Sequence, residues 1–107
     1  MSDQRLKMLK EFAANEPDDA FAHYGVALEL SNAGQHAEAV DWFNKTIDID
    51  ARYSAAYYQL SLCYQKMGES EKFAESVKSG HSKMVEIGDN KMKFEFERLA
   101  GTTGVKL

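Results

Sequence analysis

Side chains capable of chemistry are present in this sequence, but they are scattered. The histidines are His23, His36 and His81, and a helical zinc site needs two of them about four residues apart. No such pairing occurs, so no metal site is expected. The acidic pairs Asp18 with Asp19, Asp48 with Asp50, and Glu95 with Glu97 bring carboxylates close together. General acid–base work would need one member of a pair desolvated in a pocket that shifts its pKa, whereas these positions suit helix caps and solvated faces. Cys63 is the only cysteine, which excludes an intramolecular disulfide and a cysteine-built zinc cluster within one chain and leaves a small apolar residue. No phosphate-binding glycine loop, nucleophile–base set or dinucleotide fingerprint occurs. The expectation is a protein that is not an enzyme, with no catalytic residue and no cofactor.

The elements that must position any site are helices. Hydrophobic residues make up 44% of the 107 residues and charged residues 28%, with Pro17 the single proline, a balance that suits one soluble helical unit. A formal charge of -4 supplies no basic surface for nucleic acid. The first residues lack the apolar run of a signal peptide, and nothing approaches the roughly 18 apolar residues of a membrane span. A cytoplasmic protein without a membrane partner is expected.

The sequence repeats itself. Residues 20–53 laid over the segment from residue 54 pair Ala22 with Ala56, Tyr24 with Tyr58, Leu28 with Leu62 and Gly34 with Gly68, a spacing of 34 residues in each case. Within the first copy, His23, Val26, Ala27 and Leu30 recur at three- and four-residue steps and share a helix stripe, and Ala39, Val40, Phe43 and Ile47 form a second. Asp18 or Asp19, after Pro17, can cap the first helix, and Gly34 and Gly68 sit where the chain reverses.

At this spacing the sequence resembles the tetratricopeptide repeat. The first copy presents His23, Val26, Ala27, Leu30, Gly34, Ala39, Phe43 and Ala51 at the motif positions, and the second presents Tyr57, Leu60, Ser61, Tyr64, Gly68, Phe73 and Val77. Ser61 is small enough to replace the motif glycine. Phe73 departs from the motif alanine, which implies a splayed or differently packed second pair unless Gly80 makes room. The resemblance implies an all-α, right-handed superhelical stack of antiparallel helix pairs with about six helices. Its parts are a leading half-repeat at 1–17, repeats at 18–53 and 54–87, a capping helix at 88–100 and a flexible tail at 101–107. In the leading part, residues 6–15 read as the second helix of a truncated earlier repeat, with Leu9 at the place of Phe43.

In that family the first helix of each pair lines a concave face. Carried over residue by residue, this gives Phe21, Tyr24, Gly25 and Leu28 from the first repeat and Ala55, Tyr58, Gln59 and Leu62 from the second. The implied function is a protein–protein interaction module that holds an apolar or aromatic peptide or protein segment in this groove. Tyr24 and Tyr58 could instead pack under the flanking helices, and mid-helix Gly25 could admit either the leading helix or a ligand. The alternative role is a self-associating assembly subunit, a homodimer formed through the end faces or through Trp42. Trp42 lies one residue before Phe43 on the outer side of its helix, where it would be either a contact or covered by the neighbouring pair. A chaperone-tail-binding co-chaperone has less support, because Tyr24 and Leu28 occupy the places of the family's carboxylate-clamping Lys and Asn.

Overall fold

In the computed structural model, which describes residues 3–107, the chain forms α1 (Asp3–Asn15), α2 (Ala20–Asn32), α3 (His36–Ile49), α4 (Ser54–Lys66), α5 (Ser70–Ile87) and α6 (Asn90–Thr103). Met1 and Ser2, where the segment read for a signal peptide begins, lie outside the described residues. Short turns fold each helix back on the one before it. Sequence neighbours therefore pack together, and α6 also reaches α4. The resulting all-α stack measures 40 × 28 × 18 Å. None of the described helices is long and apolar enough to cross a membrane.

The turns recur because the same residues end the helices. The Asp19 carboxylate accepts from the Ala22 amide at 3.2 Å and caps α2. At the far ends of α2 and α4, Gly34 and Gly68 take φ of +81° and +73°, which an L side chain would oppose. The amides beyond them, Gln35 and Glu69, donate back to the carbonyls of Leu30 and Tyr64 at 2.9 and 3.0 Å.

Two clusters form the interior. The first gathers Val26, Ala27 and Leu30 of α2, Ala39 and Phe43 of α3, Ala56 and Cys63 of α4, and Ala13 of α1. The second joins Phe73, Val77 and Met84 of α5 to Phe96 and Ala100 of α6. The buried hydroxyls of Ser61 and Ser76 lie 2.8 Å apart between α4 and α5, so the small residue at 61 also fixes a polar contact between these helices.

Two expectations are corrected here. Phe73 is buried in the second cluster, and Gly80 makes room for a different ring: a Cβ at Gly80 would overlap the Phe96 side chain of α6. The last helix does not stop at residue 100 but runs to Thr103, and the segment after it is not a loose tail throughout. Gly104 at φ +80° lets the Val105 amide donate to Ala100 at 3.1 Å while the Val105 side chain packs on the second cluster. Trp42 is half-buried, with its ring 5.7 Å from that of His23 in α2.

Candidate protein-binding surface

The residues expected to form one groove separate into two environments. Tyr24 is half-buried, its ring 5.7 Å from Phe43 and 4.9 Å from Tyr53. Burial raises its phenol pKa above the ordinary value, and the neighbouring Tyr53 adds to the shift. Tyr58 belongs to the second cluster and meets Phe96 of α6 edge-on at 5.3 Å. The two tyrosines thus serve different packing units, and each is engaged with a neighbouring helix. Gln59 and Leu62 are half-buried on α4.

Phe21, Gly25 and Leu28 do come together with open space, but on the side of α2 that faces α1. With Leu9 and Phe12 of α1 and Ala22 of α2 they line a groove of about 490 Å³. Phe21 is 71% exposed and Phe12 54%, and Met8, one turn before Phe12, is 62% exposed. The Arg5 guanidinium spans from α1 to Glu29 of α2 at 3.2 Å and marks the rim. A Cβ added to Gly25 would have nothing within 4 Å. The close approach of the leading helix suggested for this glycine is therefore corrected: the missing side chain opens onto the groove.

Shifting by the repeat spacing shows what this groove is. Leu9, Phe12, Ala22 and Glu29 correspond to Phe43, Thr46, Ala56 and Cys63. All four of the latter are buried, on α3 and α4, in the seat that α2 fills. The α1/α2 groove is the same seat without its helix. Met8, Leu9 and Phe12 were absent from the set expected to bind. A signal for them existed in their spacing, since Met8, Leu9 and Phe12 recur at helical steps along one face of α1.

Several of the remaining candidates have local partners, whereas His36 Nδ1 is buried without a hydrogen-bond partner. His23 Nδ1 lies 2.8 Å from the Asp19 carbonyl, and His81 Nε2 lies 2.9 Å from a Glu97 oxygen. The Asp50 carboxylate accepts from the Arg52 amide at 2.9 Å, and Glu95 pairs with Arg98 at 3.4 Å. Burial raises the Cys63 thiol pKa, partly offset by the Ser31 hydroxyl, and such a thiol is a poor nucleophile.

A family model described as tetratricopeptide repeat matches residues 54–78. The fold is similar to that of a tetratricopeptide repeat domain protein from Salinibacter ruber, with a TM-score of 0.74 at 22% identity over 84% of this chain and 92% of that one. The chain carries a tetratricopeptide repeat and the fold that goes with it. A second similar structure, described as the TPR2B-domain:pHsp70 complex of yeast Sti1, gives a TM-score of 0.72 at 19% identity over 88% of this chain and 81% of that one. No curated protein matches the sequence. Among the described residues α2 packs with α3 and α4 with α5, while α1 precedes the first of these pairs and α6 follows the second.

Proposed function

We propose that the tetratricopeptide stack is a protein–protein interaction module whose binding surface is the α1/α2 groove, and that it takes the apolar face of a helical segment. The observation that carries this reading is the equivalence between the open groove and the seat filled by α2. The same kind of cleft, lined at matching repeat positions, covers a helix in one place and stands exposed in the other. Exposed Phe12 and Phe21, with Leu9 and Leu28 beneath them, have the character of binding anchors: large, stiff apolar side chains at the edge of a concave surface. The fold similarity to a domain described as in complex with pHsp70 is in keeping with a peptide or protein partner.

The test is an NMR titration of the full chain with a synthetic peptide spanning residues 18–35, which carries this chain's own seat-filling helix. Shifts should concentrate at Met8, Phe12 and Gly25 and vanish in Phe12→Asp. A titration that leaves these residues unmoved would refute the groove as a helix site.

A further inference from the structure

We infer that the helix which fills the α1/α2 groove is α1 of a second copy of this chain, in a two-fold, antiparallel α1–α1 pair. The inference rests on the proposed groove and adds its occupant.

Direction comes first. Each helix in the stack runs antiparallel to the one before it, so a helix seated ahead of α1 must run antiparallel to α1. A two-fold axis perpendicular to α1 gives that direction automatically, and it lets each copy fill the other's seat.

Side-chain spacing agrees. The helix that fills the intact seat is α2, which presents His23, Tyr24 and Ala27 toward α3, with ring contacts from His23 to Trp42 and from Tyr24 to Phe43. The outer face of α1 carries exposed Met8 and Phe12 with half-buried Leu9 at the same steps.

Charge selects the antiparallel sense and the partner. The first half of α1 carries Asp3, Arg5, Lys7 and Lys10 and is net basic, although Arg5 and Lys10 already reach Glu29 and Glu38, whereas Glu11, Glu16, Asp18 and Asp19 follow in its second half and the turn after it. Antiparallel pairing lays basic half over acidic half, and parallel pairing would set like charges side by side. With the axis level with residue 10, Met8 faces Phe12 of the second copy. Asn15 and Glu16 of that copy, both exposed, come to the rim marked by the Arg5–Glu29 ion pair. The polar end of the incoming helix thus meets the polar end of the groove.

Sedimentation equilibrium of the full chain tests this. A concentration-dependent dimer is expected, and Met8→Asp with Phe12→Asp should raise its dissociation constant by about 30-fold or more without altering helicity. Independently, a mixture of Met8→Cys and Phe12→Cys chains should form a disulfide faster than either chain alone, and buried Cys63 should remain outside it. A strict monomer at about 1 mM, a dimer that survives the double substitution, or preferred Met8→Cys self-coupling would each overturn the inference. The peptide of residues 18–35 separates the two readings. A monomer that still binds it removes the second copy and keeps the groove, and a monomer that ignores it removes both.

Discussion

The two ends of the stack have opposite surfaces. At the C-terminal end, the stripe that is buried in α2 as His23, Val26, Ala27 and Leu30 recurs in α6 as Lys91, Phe94, Glu95 and Arg98. In that stripe Lys91 and Arg98 are exposed, half-buried Glu95 pairs with Arg98, and Phe94 is the exposed apolar member. At the N-terminal end, the corresponding face of α1 keeps Met8, Leu9 and Phe12. A stack needs polar terminal faces to remain soluble as a single unit. The contrast teaches that the face of α6 is suited to solvent, whereas the face of α1 is suited to apolar cover.

The largest expected effect separates the filled seat from the empty one. Phe43→Ala removes a fully buried ring and should cost about 3–5 kcal/mol, while Phe12→Ala at the equivalent region of α1 should stay within about 0.5 kcal/mol in dilute solution. Urea denaturation of both variants measures the difference, and comparable losses would mean that the α1 face is already packed.

Next in size is Gly80→Ala. Its new methyl would press into the Phe96 ring, and overpacking of this kind costs about 1–3 kcal/mol. The loss should appear as detachment of α6, read as faster amide exchange there with α2 and α3 unchanged.

Glycines then sharpen the contrast further. Gly34→Ala forces a side chain into φ +81° and should destabilise by about 1 kcal/mol. Gly25→Ala sits in a helix over open space and should stabilise by up to about 1 kcal/mol, yet weaken peptide binding in the groove. Thermal melts and the peptide titration report the two signs, and equal signs in both assays would contradict an empty groove floor.

The smallest effect is on pH. The Ser54 hydroxyl and then the Met92 amide hold the Asp89 carboxyl below its ordinary value of 3.8. This support is present above that value and lost as pH falls through the lowered one, loosening the start of α6 in acid. Burial, and then Tyr53, raise Tyr24 above 10.0. Its contribution is full below that value and is lost as pH rises through the raised one, loosening the α2 seat in alkali. Residue-resolved NMR at both extremes should show the two ends responding to opposite changes, and a uniform response would defeat the comparison.

Much of the stack was legible in the residues. The spacing of Tyr24 to Tyr58 and Gly34 to Gly68, with apolar stripes between, placed the helix pairs because burial and backbone reversal act locally. The proposed binding surface was harder to read, since a repeat pattern marks which face a residue occupies and not whether another helix covers it. Tyr58 illustrates this: its partner Phe96 comes from α6, where the repeat has lost most of its apolar signature. Gly25 and Phe21 were singled out, but their neighbours in the proposed groove, Leu9 and Phe12, were not, because the leading helix was assigned by register alone. Val105 escaped notice because one glycine-ended turn, not periodicity, brings it back onto the core.

The charged outer face of α6 has a consequence for assembly. Units whose two ends are mutually adhesive join head to tail and grow into open filaments. Here the α6 face is mostly charged while the α1 face is apolar, so the two ends are not matched for head-to-tail growth. Whatever covers α1 closes the particle, and a second copy placed there would stop assembly at two.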